Sequence, residues 1–316
     1  MSISSVWVIG AGAIGSLCAG HLGQVCDVSV LVRRREHAEA LNRSGLTVSG
    51  KSNFTATLTA AIDPSELLVP DLVVIATKAM QVEAASKAIE GMHPGAAVMT
   101  IQNGLGTEEV VAMHGRWPII SSVTFMSGTK ESDTEVHYEL DTATWMGPYP
   151  PSGASFESVQ EVGGLFESGG LKVEVLEDLR PAQWSKLLFN ASVNSVAALT
   201  DLPHIGLFAR RERDSDLGHL MFDLIEEGKR VASADGVELF EDPWEMNCRA
   251  VQQGSTHDDK YAHVPSMLAD VRAGRPTEID FILGSVVRTA RRNGTPAPLS
   301  EALYRLVKAR DRSYDS

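Results

Sequence analysis

Lys186, Asn190 and Asn194 recur at intervals of four in the otherwise mostly apolar run 184–194. On a helix that spacing places all three on one face. A lone lysine on a largely buried helix would carry its ammonium out to water. A lysine backed by two asparagines at successive turns instead lines a cavity. Burial shifts a lysine pKa readily, and a shifted ammonium suits acid–base work.

A second constellation lies at the other end of the chain. Gly10-Ala11-Gly12-Ala13-Ile14-Gly15 is G-x-G-x-x-G, preceded by the apolar run 6–9 and followed by a helix-like stretch from Ser16. That context is what a dinucleotide fingerprint requires. Gly10 permits the tight turn, Gly12 lets a pyrophosphate approach the backbone, and Gly15 lets helix and strand sit close. Helix N-terminal amides, from Ala13 and Ile14 onward, then meet the phosphates. The second apolar run ends at Val32, and Arg33-Arg34-Arg35 follows. An acidic residue there would hold a ribose 2′-OH. Arg33 instead pairs with a 2′-phosphate, which points to NADP(H). Arg34 and Arg35 read as a solvated helix start.

Two further apolar runs end in polar residues, Ala76-Thr77-Lys78 and Gln102-Asn103-Gly104. Ligands of open α/β sheets sit outside the carboxyl ends of strands. Lys78 can neutralise a phosphate or a substrate carboxylate, and Asn103 can bind a nicotinamide amide or the substrate. For each alone, a surface lysine or a turn asparagine explains the residue equally well. Gly45 to Ser52 matches the P-loop pattern, but a helical stretch precedes it and a β-like stretch follows. A P-loop needs the reverse order, so the segment reads as a hairpin turn. There is no H-E-x-x-H and no G-x-S-x-G, which leaves zinc and serine hydrolysis without support.

The elements that must position these groups fall into two classes. Short β-branched runs at 6–9, 28–32, 72–76, 97–101 and 119–123 alternate with helical stretches, the pattern of buried parallel strands in βαβ units. Runs 135–138 and 142–146 read as a hairpin, and a helix at 156–166 with a strand at 172–175 returns to the same domain. After Pro181 the strand signal ends, and 184–199, 214–234 and 278–292 read as long helices. Thr277 looks like an N-cap with Glu278 in the first helical turn, where its charge also complements the helix dipole. Ser266 marks another helix start. The expected division is a Rossmann-type domain at 1–178 and an all-helical domain at 179–316.

The chain has 316 residues, enough for two such domains. Lys and Arg number 28 against 41 Asp and Glu, a net charge of −13. That balance disfavours nucleic acid or an anionic membrane as partner. Cys18, Cys26 and Cys248 form no C-x-x-C pair, so neither a disulfide framework nor a zinc knuckle is expected, and a reducing cytoplasm suits them. No metal site is expected.

Taken together, the fingerprint, Lys78, Gln102-Asn103-Gly104, Trp184-Ser185-Lys186 with Asn190 and Asn194, and Pro265-Ser266-Met267-Leu268 followed by Thr277-Glu278-Ile279-Asp280 resemble the ketopantoate reductase (2-dehydropantoate 2-reductase) family. The resemblance runs in order along nearly the whole chain. It implies NADPH-dependent reduction of a 2-oxo acid, ketopantoate, to a 2-hydroxy acid in pantothenate biosynthesis, in the cleft between the two domains. It further implies Lys186 as general acid, and Asn190 and Asn194 as substrate ligands. Ser266 would bind the substrate carboxylate or hydroxyl, Glu278 would order cofactor or substrate, and Asn103 would contact nicotinamide and substrate. The chain departs from the family pattern near His204 and His263, where asparagines are expected. Another 2-oxo acid is therefore the alternative substrate, and a non-catalytic NADPH-binding protein the alternative class. A homodimer stays open.

Overall fold

The computed structural model describes residues 3–204, 207, 216–255 and 264–312; His263 lies outside them. The chain divides into two units, Met1–Gln102 with Thr107–Leu179, and Asn103–Gly106 with Arg180–Ser316.

The first unit holds strands β1 (Ser5–Ile9), β2 (Asp27–Leu31), β3 (Leu46–Gly50), β4 (Phe54–Ala56), β5 (Thr59–Ala61), β6 (Leu72–Ile75), β7 (Ala97–Thr100), β8 (Ile119–Thr124), β9 (Ser127–Ser132), β10 (Glu135–Leu140), β11 (Thr144–Pro148) and β12 (Val173–Val175). Its helices are α1 (Ala13–Leu22), α2 (Arg35–Ser44), α3 (Val82–Ala88), α4 (Thr107–Ala112) and α5 (Phe156–Ser168). The main sheet has the order β12-β11-β8-β7-β6-β1-β2-β5. The strands from β5 to β8 are parallel, as their continuous apolar runs require when both faces are covered. Alternation divides the core between the two faces. Val6 and Val8 join Leu17 and Leu22 of α1 on one side, while Trp7 and Ile9 join Val82 and Ile89 on the other. Burying each such side chain contributes roughly 1.5–3 kcal/mol.

A second sheet, β4-β3-β10-β9, packs its inner face against α1. The hairpin expected at 135–146 is not formed. β10 pairs with β9 and β3, whereas β11 pairs with β8 and β12 in the main sheet. The burial patterns give the reason. β10 alternates, with only Val136 and Tyr138 buried, and suits a sheet with one wet face. β11 is buried at four of its five residues and suits a sheet covered on both sides. The P-loop-like segment is the hairpin β3–β4, paired antiparallel.

The second unit holds α6 (Arg180–Thr200), α7 (Asp216–Ala234), α8 (Pro243–Ser255), α9 (Ser266–Arg272), α10 (Leu283–Asn293) and α11 (Pro298–Arg312), with no strand among the described residues. Helix α6 is central, packed by α7, α8, α9 and α11. It is buried nearly all round, which matches its lack of a single apolar stripe. Helix α10 begins at Leu283, five residues later than the sequence pattern suggests. Thr277 does not cap it, because Ile282 holds the N-cap position; the Thr277 hydroxyl donates to Asp311 Oδ2 and accepts from Ile279 N at 3.4 Å. Glu278 instead sits in a turn whose carbonyl accepts from Phe281 N and Ile282 N. Among the described residues no helix is long and apolar enough to cross a membrane.

Candidate active site

Lys186 lies in the middle of α6 and is buried, with 4% of its surface exposed. Its Nζ donates to Asn103 Oδ1 at 3.0 Å, and Asn190 Nδ2 donates to the same oxygen at 3.2 Å. The Asn103 carbonyl is thus turned toward α6, and its amide nitrogen has no partner among the described residues. Burial pushes the Lys186 pKa down to about 7, and the Glu278 carboxylate opposes that fall. An ammonium so poised can release its proton near neutrality.

The turn at 277–282 ties the partners of Lys186 to one backbone segment. Phe281 O accepts from Leu105 N at 3.0 Å, and Ser285 Oγ donates to Leu105 O at 3.1 Å. A Cβ on Gly104 would stand 2.1 Å from Phe281 O, and Gly104 has φ +94°, so only glycine fits this approach. These contacts place Asn103–Gly106 in the second unit, where the sequence reading put Asn103 in the first domain. The same turn is clamped by α11. Tyr304 Oη and Lys308 Nζ donate to the two Asp280 carboxylate oxygens at 2.6 and 2.8 Å.

Asn194 is buried one turn beyond Asn190, and its Oδ1 accepts from Met267 N at 3.4 Å at the start of α9. Ser266, the first residue of α9, is exposed. Hydrogen bonds therefore join Lys186, Asn190 and Asn103 in one cluster and link Asn194 to α9. His204 is buried, with Nε2 3.1 Å from Asn247 Oδ1 and its ring edge-on to Phe189, the residue before Asn190.

In the first unit the fingerprint forms the corner between β1 and α1. Gly10 has φ +99°, and a Cβ there would meet Thr77 N at 2.9 Å. A Cβ on Gly15 would stand 1.9 Å from Gly10 O, whereas one on Gly12 would meet nothing within 4 Å. Gly12 is the N-cap of α1 and supplies no side chain to the first-turn amides, among them those of Ala13 and Ile14. Beside this corner, Thr77 Oγ1 and Gln102 Oε1 are buried without hydrogen-bond partners among the described residues. Gln102 Nε2 bonds Ile75 O and Thr77 O, so the orphaned oxygens lie at the adjacent carboxyl ends of β6 and β7. Open backbone at Gly12, uncapped amides and orphaned buried oxygens fit a bound dinucleotide. Lys78 is exposed at the end of β6, capping a 3-10 turn at Ala79–Gln81.

At the end of β2, Arg34 is committed to Asp133 at 2.5 Å. Arg33 is exposed and has no ion pair among the described residues. Sequence reasoning missed Thr77, Gln102 and Lys130. Thr77 and Gln102 each flank a residue it did select, so position after a strand was a usable signal. Lys130 Nζ donates to Ala11 O in the fingerprint at 2.5 Å, a contact between residues 119 apart that no local pattern announces. Among the described residues no cluster could hold a metal ion.

Residues 6–151 match the family described as "Ketopantoate reductase PanE/ApbA", and residues 178–311 match its C-terminal part. The chain is 30% identical over 307 residues to the 2-dehydropantoate 2-reductase of Pyrococcus horikoshii, covering 97% of each chain. It is 30% identical over 311 residues to that of Halobacterium salinarum, covering 97% of this chain and 99% of the other. Among solved structures, the 2-dehydropantoate 2-reductase of Methylococcus capsulatus aligns with a TM-score of 0.82 at 28% identity, over 99% of this chain and 98% of the other. A D-mandelate dehydrogenase solved with NADH and anilino(oxo)acetate aligns with a TM-score of 0.84 at 23% identity, over 99% of this chain and 100% of the other, a likeness of fold alone. A glycine corner that fits a dinucleotide, a buried lysine–asparagine cluster and relatives matched nearly end to end agree, and the chain belongs to the ketopantoate reductase family of oxidoreductases.

Proposed function

We propose that this protein reduces ketopantoate to pantoate with NADPH, and that Lys186 is the proton donor. The observation that carries the reading is the buried Lys186 ammonium, bonded to Asn103 and held near neutrality in its pKa. Bound NADPH supplies a hydride to C2 of the 2-oxo acid. Negative charge then gathers on the former carbonyl oxygen, and an ammonium aimed there stabilises it and delivers the proton. The resulting amine regains a proton from solvent. The Asn103 carbonyl accepts from Lys186 and so restrains where the ammonium points, leaving the Asn103 amide nitrogen for nicotinamide or substrate. Asn190 donates to the same Asn103 oxygen, and the Glu278 carboxylate favours the charged form of the lysine. Asn194 and Ser266, at and beside the start of α9, are the proposed substrate ligands on that side. The fingerprint residues and Lys78 hold the cofactor phosphates.

NADPH oxidation against a panel of 2-oxo acids tests this reading. Ketopantoate is expected to give the highest kcat/KM. A bulkier 2-oxo acid as best substrate favours the second reading, which rests on His204, an imidazole packed on Phe189 beside Asn190. No turnover with any member, despite tight NADPH binding, defeats both.

Cofactor choice rests on Arg33. Its guanidinium has no ion pair among the described residues, and it follows β2 by two residues, where a 2′-phosphate is read. Arg33→Ala is expected to raise the NADPH Kd about ten- to hundredfold, the value of a charge-assisted hydrogen bond. NADH affinity should stay within about twofold. Titration of both cofactors into both proteins measures it, and equal losses for the two would remove Arg33 from the 2′-phosphate site.

A further inference from the structure

We propose that Lys130 is a positioning residue of the dinucleotide site: its ammonium holds the Ala11–Gly12 peptide so that the Gly12 N–H is presented to a pyrophosphate. The inference rests on the dinucleotide reading given above and adds to it a residue outside the fingerprint.

Lys130 stands on β9, an edge strand of the second sheet, yet its Nζ donates to Ala11 O at 2.5 Å. A trans peptide points its carbonyl and its following N–H in opposite directions. A cation fixed on Ala11 O therefore sets where Gly12 N–H points. It also polarises the peptide, which strengthens that N–H as a donor. Gly12 borders open space, so its backbone is the place where a ligand phosphate can come close.

The lysine is itself held. Its strand is joined to β10 through the turn carrying Asp133. Asp133 bonds Arg34, the N-cap of α2, at 2.5 Å, and its carbonyl oxygen lies 2.9 Å from His37 Nε2 on the same helix. Lys130 Nζ lies 3.2 Å from that same His37 nitrogen. Hairpin, α2 and fingerprint are thus tied through one half-buried amine. Burial lowers the Lys130 pKa, while the Asp133 carboxylate works against that fall. A neutral methylene stem filling the same space would leave Ala11 O without its partner and the peptide free to rotate.

The position of this ammonium separates it from Arg33. Arg33 follows β2 and faces the 2′-phosphate, a group NADP⁺ has and NAD⁺ lacks. Lys130 acts on the pyrophosphate loop, which both cofactors use. Lys130→Met is therefore expected to raise the Kd of NADP⁺ and of NAD⁺ by a similar factor, about tenfold. Affinity for 2′-AMP, which has no pyrophosphate, should be unchanged. Lys130→Arg, which keeps a cationic donor, should restore most of the loss. Calorimetric titration of the three probes into wild type and variants reads this without turnover, and a melting curve accompanies each variant. Loss confined to NADP⁺ would make Lys130 a 2′-phosphate ligand and overturn the proposal. An equal loss for 2′-AMP would show a general collapse of the site and overturn it as well. If Lys130→Met does not fold, Lys130→Gln, a neutral donor, is expected to give a smaller loss shared by both dinucleotides, and unchanged binding there would overturn the proposal. Wild type that binds none of the probes would instead sink the dinucleotide reading, and this inference with it.

Discussion

Lys186→Ala is expected to lower kcat about 10²–10⁴-fold, the usual cost of losing a general acid, while NADPH titrates as in wild type. The side chain is buried and its nitrogen donates to Asn103 Oδ1, so the loss is expected to fall on chemistry. Truncation also leaves Asn103 Oδ1 one donor short, but Asn190 still occupies it. A melting curve close to wild type is therefore expected beside the kinetic defect. Turnover within about threefold of wild type would remove Lys186 from the acid role. The pH profile gives a second, independent reading. The acid works only when protonated, and burial has brought the Lys186 pKa down to about 7. The value of kcat/KM should then be flat below that pH and fall about tenfold per unit above it. Because Glu278 raises the Lys186 pKa, Glu278→Gln should move this limb to lower pH. A limb that stays in place in Glu278→Gln would mean that another group titrates.

Much of this site can be read from local spacing, because its groups sit on regular elements. The interval of four in Lys186, Asn190 and Asn194 is a helix property, and α6 is one unbroken helix over 180–200. The fingerprint needs only a strand before it and a helix after it, and both are strongly patterned. What spacing could not reveal depends on long-range pairing. Asn103–Gly106 has no apolar period of its own, and its place in the second unit is decided by Phe281 and Ser285, nearly 180 residues later. The strand Ser127–Ser132 is polar throughout and half-exposed, so neither β9 nor its Lys130 carried a local signal. The false hairpin at 135–146 arose the same way. Two neighbouring strands with a short gap look paired until competing partners, β9 for β10 and β8 for β11, are known. Glu278 was expected in the first turn of a helix, but that helix starts only at Leu283, and Thr277 bonds the Asp311 carboxylate, a partner no local pattern announces.

The fingerprint glycines should separate folding from binding. Gly15→Ala puts a methyl 1.9 Å from Gly10 O, a backbone atom that cannot swing aside. Overpacking of this kind costs about 1–3 kcal/mol and at a backbone contact more, so the first unit should melt several degrees lower or not fold. Gly12→Ala meets nothing within 4 Å, and Gly12 has φ −75°, a value alanine adopts freely. Its melting point should stay within a few degrees of wild type, since alanine is only a modestly poorer N-cap. The new methyl occupies the open space at Gly12, where the proposed site takes a pyrophosphate. Affinity for NADP⁺ and NAD⁺ should therefore fall about a hundredfold, close to 2.8 kcal/mol. Scanning calorimetry with dinucleotide titration on the two variants distinguishes the effects. One variant is expected to lose stability first and the other to lose only ligand. If Gly12→Ala binds both dinucleotides as wild type does, the pyrophosphate does not pass over this peptide. The open space at Gly12 would then be ordinary surface, and the cofactor would have to be sought against the orphaned Thr77 and Gln102 oxygens alone.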